Sequence, residues 1–155
     1  MSEIEQHSDY LISARLPIRI SCRTISGWPV VLSLWYLYRN GLIYCATKES
    51  ARIVTYLKNE PRCAFEIAGD LPPYCGIRGQ ARAAVVPELG AEILEALLIR
   101  YVGNSDNKLA KQLLKEAEKE VALVLDPINC HSWDFSKRMQ TVLPDMIGLA
   151  RKECP

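Results

Sequence analysis

Val30-Val31-Leu32-Ser33-Leu34-Trp35-Tyr36-Leu37-Tyr38-Arg39-Asn40-Gly41-Leu42-Ile43-Tyr44-Cys45-Ala46-Thr47 is the stretch whose reading decides the fold. Residues 30–38 are rich in β-branched, leucine and aromatic side chains, which predicts a strand. Asn40-Gly41 follows, a pair that tolerates the positive φ angles of a tight hairpin turn, and a second strand is predicted over 42–47. Upstream, Ile18, Ile20, Cys22 and Thr24 alternate with Arg19, Ser21, Arg23 and Ile25, the period-two pattern of a strand with one face in a core. Ser26-Gly27-Trp28-Pro29 turns the chain between the two, so three antiparallel strands are laid down in succession.

Downstream, Thr47 gives way to Lys48-Glu49-Ser50-Ala51-Arg52. A helix is predicted over 50–60, with Ala51, Val54 and Leu57 on one side and Pro61 forcing its end. Cys63, Phe65 and Ile67 alternate with Ala64 and Glu66 in a fourth strand, closed by Gly69-Asp70-Leu71-Pro72-Pro73. A long strand over 74–86 carries Arg78, Gln80 and Arg82 on one face and Cys75, Ile77, Ala81, Ala83 and Val85 on the other; Gly76 and Gly79 within it predict a bulge or a close backbone approach. Helices are predicted over 91–101, closed by Gly103-Asn104, and over 108–120, with Leu109, Leu113 and Ala117 as the inward stripe. Two closing strands, 121–125 and 128–135, are joined through Asp126-Pro127. A short helix is expected within 4–14.

About six antiparallel strands with helices inserted between them predict an α+β domain on a closed or nearly closed barrel. No repeat or linker divides the chain, so it reads as a single domain over 1–155, with a core over 10–136 and a C-terminal tail over 137–155.

At 155 residues, 49% hydrophobic and 24% charged, the composition is that of an ordinary soluble globule. A net charge of +1 leaves no electrostatic footprint for nucleic acid. The six cysteines, at 22, 45, 63, 75, 130 and 154, form no Cys-x-x-Cys pair and read as reduced thiols in apolar surroundings. Met-Ser-Glu-Ile-Glu-Gln-His lacks the basic-then-apolar pattern of a secretory signal, and no apolar stretch reaches the length of a membrane span. A cytoplasmic setting without membrane contact is therefore expected.

Two features carry functional content. Lys48 and Arg52 flank the start of a predicted helix, where unpaired backbone N–H groups and the positive dipole end favour acids over bases. Either the hydroxyls of Thr47 and Ser50, the free N–H groups and both cations hold a phosphate, or Ser50 is an N-cap and the cations are solvated. Second, both period-two faces of 30–38 are apolar apart from Ser33, so something covers the second face: the domain's own helices, or a second subunit, which the aromatic area of Trp28, Tyr36 and Tyr38 favours.

The sequence holds no glycine-rich nucleotide loop and no His-Glu-x-x-His zinc-protease helix. Cys130 and His131 are adjacent in a predicted strand and so point to opposite faces, which prevents a nucleophile pair. Two distant histidines and scattered cysteines match no metal-ligand spacing. Reactive chemistry, if present, falls to an organic cofactor acting on a small molecule.

Arg23-Thr24-x-x-Gly27-x-Pro29, Leu34-Trp35-Tyr36, Thr47-x-x-x-x-Arg52 with Leu57 and Asn59-x-Pro61, Ile77-Arg78-Gly79-Gln80-Ala81, and Ser132-Trp133-Asp134-Phe135 occur in an order that resembles the pyridoxamine phosphate oxidase-like flavin-binding split barrel, over residues 10–136. The resemblance implies a six-stranded Greek-key split barrel, a homodimer with one FMN in each cleft between subunits, and flavin oxidoreductase activity. By position, Leu32, Ser33, Leu34 and Trp35 would line the isoalloxazine. Thr47, Lys48, Ser50 and Arg52 would hold the ribityl and phosphate groups, Arg78 and Gln80 would complete the site, and Trp133 would reach across from the partner. Ile53 departs from the pattern, standing where many FMN-binding members carry a lysine. The basic C-terminal motif that true pyridoxamine phosphate oxidases use for substrate is also missing, which argues against vitamin B6 oxidation. Related members use a deazaflavin or bind haem, for which His131 would be the first ligand to test, and a non-catalytic storage dimer is the rival reading.

Overall fold

The computed structural model describes residues 3–103 and 107–139. Seven strands, β1 (Ile18–Arg23), β2 (Pro29–Leu34), β3 (Leu37–Arg39), β4 (Leu42–Lys48), β5 (Arg62–Ala68), β6 (Cys75–Val86) and β7 (Glu120–Asp134), form one antiparallel sheet in the order β2-β1-β5-β6-β7-β4-β3. Among the described residues five α-helices accompany it: α1 (Ser8–Ser13), α2 (Arg52–Asn59), α3 (Gly90–Val102), α4 (Lys108–Leu114) and α5 (Ser136–Met139). The α+β class stands; the sheet has seven strands rather than about six, and of the closed or nearly closed alternatives it is not the closed one.

Both corrections trace to particular residues. The predicted strand over 30–38 breaks at Trp35-Tyr36, because β2 pairs with β1 and β3 pairs with β4. Tyr36 is fully buried, its hydroxyl donating to the carbonyls of Leu11 (3.0 Å) and Ala14 (3.1 Å), so the chain cannot hold strand geometry across it. Conversely, the two predicted closing strands are one, β7, which runs through Asp126-Pro127 with Ile128 as an extra residue: Gln80 faces Asn129 and Ala81 faces Pro127. The bulge expected from the glycines of β6 thus lies on its partner.

β2 and β3 are the two sheet edges, yet only Trp35 and Tyr36 separate them. So short a link spans roughly 10 Å at most, so the sheet is rolled until its edges nearly meet, without ladder bonds between them. A split roll, open along one seam, is the result.

Local patterns mostly decide the rest. Asn40 (φ 51°) and Gly41 (φ 81°) turn the β3–β4 hairpin, with Arg39 opposite Leu42. Ile18, Ile20 and Cys22 of β1 enter the core, as do Ile77, Ala81 and Ala83 of β6, while Arg78, Gln80 and Arg82 face outward. Gly76 and Gly79 answer to close approach: a Cβ on Gly79 would lie 2.2 Å from the carbonyl oxygen of Asn129. On α2, Ile53 joins Val54 and Leu57 in the core, so a lysine there would lose its packing. α3 lays Ile93 and Leu97 against Leu37 and Ala122 on the outer side of the sheet, and Gly103 (φ 88°) ends it.

The helix predicted over 108–120 stops at Leu114, and Ala110 rather than Leu109 turns inward, Leu109 being about half exposed. Cys22, Cys45, Cys63 and Cys130 are free and buried, and burial pushes the Cys63 thiol up to about 12. Cys75 is disulfide-bonded, so the reduced-thiol reading fails there. Among the described residues no helix is long and apolar enough to cross a membrane, and no group of three or more His, Cys, Asp or Glu gathers to hold a metal ion. The expected tail falls outside the described residues from 140 onward.

Candidate functional site

The corner from β4 into α2 brings Thr47, Lys48, Ser50 and Arg52 into one short segment. Ala51 is the N-cap of α2, no side chain caps it, and the first turn holds no acid. Ser50 is therefore not the cap. Arg52 is exposed and, among the described residues, has no hydrogen bond or ion pair. Lys48 differs: its Nζ lies 2.6 Å from Glu116 Oε2, and Glu116 also accepts from Lys119 at 3.2 Å. These hydrogen bonds hold the Glu116 carboxyl below its ordinary range and raise Lys48. Both side chains are largely solvated, so the pair is weak and competes with water. The corner thus offers a phosphate two hydroxyls, one unpaired guanidinium and an uncapped helix start, with a second cation held aside by Glu116.

Ser33, Leu34 and Trp35 line a cavity of about 410 Å³ with Ala46 of β4, Leu94 and Leu97 of α3, Leu113 of α4 and Glu120 of β7. Trp35 is held by a parallel stack on Tyr101, with ring centroids 5.1 Å apart and planes within 6°. Tyr101 is itself fixed, its hydroxyl donating to the Leu16 carbonyl at 2.8 Å. Leu32 instead packs toward the main core. Glu120 is 8% exposed, and desolvation raises its pKa, with Lys48 opposing and Glu116 adding to the effect. No sequence argument singled it out, because 108–120 read as one helix with a solvated charged face. The signal that would have found it is the apolar run Val121 to Leu125, which makes Glu120 a strand residue with an inward face.

Arg78 and Gln80 lie elsewhere, in an open groove of about 520 Å³ on the outer face of β1, β5, β6 and β7, beside Arg19, Val31 and His131. Gln80 is tied to Asn129, whose amide donates to its Oε1 at 2.8 Å. Arg19 is engaged by Asp70 and by the Ala68 carbonyl, whereas Arg78 has no partner among the described residues. Trp133 leans on Phe135 with centroids 5.3 Å apart, and its indole N–H is shielded without a hydrogen-bond partner. Cys130 is buried and His131 exposed, on opposite faces as the period requires.

Within one chain the expected site residues therefore form separate groups: the β4–α2 corner, the cavity at Trp35, and the groove at Arg78. No residue lines both the cavity and the groove.

Comparison with known proteins bears on this arrangement. No family model matches the chain, and no curated protein matches it. Solved structures do. A conserved hypothetical protein from Mycobacterium tuberculosis superposes with a TM-score of 0.70 at 25% identity, over 86% of this chain and 85% of that one. An F420 reductase gives 0.67 at 17% identity, over 81% and 94%. A pyridoxamine 5'-phosphate oxidase-like protein from Listeria innocua gives 0.62 at 10% identity, over 83% and 95%. The chain has the pyridoxamine phosphate oxidase-like split-barrel fold. The resemblance read from five short motifs holds at the level of fold, and the open seam between β2 and β3 is the split.

Proposed function

We propose that this split barrel is an FMN-dependent oxidoreductase acting as a homodimer on a small molecule. The observation that carries the reading is Arg52: a cation without a partner among the described residues, at an uncapped helix start that holds no acid. Thr47, Ser50 and Arg52 would hold the phosphate, Lys48 joining only if it leaves Glu116. Trp35, braced by Tyr101, would fix the edge of the isoalloxazine, and bound FMN would supply hydride transfer through its ring. The protein's part is to bind, orient and exclude water.

A second subunit supports this reading by geometry. Val31 and Trp28 are 64% and 74% exposed, and β2 presents Pro29 and Val31 outward, both exposed among the described residues. A copy seated on that face would bury this surface. F420 reductase among the similar structures makes a deazaflavin the first alternative cofactor.

Arg52→Ala tests the phosphate assignment. Loss of one charge-assisted contact, worth about 1.5–3 kcal/mol, is expected to weaken FMN binding by roughly 10- to 100-fold while riboflavin binding changes little. Equal losses for both ligands, or none, would remove Arg52 from the site. Rapid bleaching of the yellow protein by a reduced nicotinamide supports catalysis; a yellow protein inert to such donors supports storage, and a Soret band supports haem.

A further inference from the structure

We propose that the cavity at Trp35 binds a primary amine carried on an apolar, ring-sized body, with Glu120 as its counter-ion. Alternate residues of β7 set the direction: Val121, Leu123 and Leu125 enter the main core, while Glu120 and Ala122 face α3. Glu120 thereby lines a space whose other walls are mostly apolar, among them Leu94, Leu97, Leu113 and Trp35, with Ser33 as the other polar residue. Its cross-strand neighbour is Lys48, but Lys48 Nζ sits on Glu116 at 2.6 Å. Glu120 consequently has no hydrogen bond or ion pair among the described residues.

A carboxylate on a residue only 8% exposed, with little water and no ion-pair partner among the described residues, is costly, and the cost falls when a hydrogen-bonding cation arrives. An anion is repelled there and a neutral group returns little. At about 410 Å³ the space suits a small ring rather than a polymer. The amine site shares Trp35 with the proposed flavin ring site but uses neither Arg52 nor Ser50 of the phosphate corner, so it is tested on protein without flavin.

Calorimetric titration of the purified native protein, without added flavin, with 2-phenylethylamine and with its neutral counterpart 2-phenylethanol tests the site. The amine is expected to bind at least about 10-fold tighter than the alcohol, and Glu120→Gln to erase that preference while leaving the alcohol's affinity nearly unchanged. Leu113→Trp, at a half-buried position on the wall, is expected to fill the space and abolish both. Equal binding of amine and alcohol by the native protein, binding of neither, a preference that survives Glu120→Gln, or amine binding that survives Leu113→Trp would overturn the proposal. The preference for FMN over riboflavin reads the β4–α2 corner, which the amine does not touch, so failure of one reading is distinguishable from failure of the other.

Discussion

Gly90→Ala is expected to destabilise the protein by about 4 kcal/mol or more, at the upper end of what single substitutions do. A Cβ built there would lie 1.9 Å from the carbonyl oxygen of Glu120, 2.3 Å from its carbonyl carbon and 2.7 Å from the nitrogen of Val121. All three are backbone atoms, so no side-chain rotation relieves the contact. Gly90 is buried at the first residue of α3, where the helix meets the first residues of β7. Relief requires lifting α3 off the sheet, and Ile93 and Leu97 would lose their packing against Leu37 and Ala122. For a chain of this size, about 2–4 °C of melting temperature accompanies each kcal/mol, so thermal unfolding should occur roughly 8–16 °C lower. A fall of less than about 2 °C would mean that α3 rests on β7 less closely than described. In any folded fraction, the cavity between α3 and Glu120 should be distorted and amine binding reduced.

Arg100→Ala is expected to cost about 3–5 kcal/mol. Arg100 projects from α3 toward the end of α1, where its guanidinium donates to the carbonyls of Leu11, Ile12 and Ala14. Tyr36 and Tyr101 flank it, with their ring centroids 5.2 and 5.5 Å away. These carbonyls belong to the orphaned C-terminal turn of a short helix, and charge-assisted donation satisfies them. Tyr36 supports the Leu11 and Ala14 carbonyls, but Ile12 has no second donor among the described residues. Hydrogen exchange is expected to accelerate first in α1, with a melting temperature lower by roughly 6–12 °C or more. Arg100→Lys should recover only part of the loss, because an ammonium cannot reproduce the planar fork. Full recovery by lysine would show that charge alone matters at this position.

The sequence made the sheet legible where a single local rule decided the outcome. Asn40-Gly41 could hardly be anything but a hairpin turn, and the alternation in β1 and β6 assigned inner and outer faces correctly. It misled where tertiary partners override local preference. Nothing in Trp35-Tyr36 signals that one hydroxyl will bond two carbonyls some twenty residues upstream and break the strand. Asp126-Pro127 looks like a terminator, yet β7 absorbs both beside a bulge.

The candidate site was legible in part for the same reason. Arg52 and Thr47 could be picked from the strand-to-helix junction, since the chemistry of an uncapped helix start is local. Glu116, which holds Lys48 from 68 residues away, could not be anticipated. Nor could Glu120, whose burial depends on where α3 and α4 come to rest. The separation of Arg78 and Gln80 from Trp35 follows from the rolled sheet, which sends β6 and the end of β2 to different surfaces.

The most direct test of the central claim, that the junction of β4 and α2 grips the phosphate of a flavin mononucleotide, is a side-by-side titration of the purified, ligand-stripped native protein with FMN and with riboflavin, followed by flavin fluorescence. Phosphate recognition by Arg52, Thr47 and Ser50 predicts that FMN binds at least about 10-fold more tightly. Equal affinities, or no uptake of FMN at all, would contradict it.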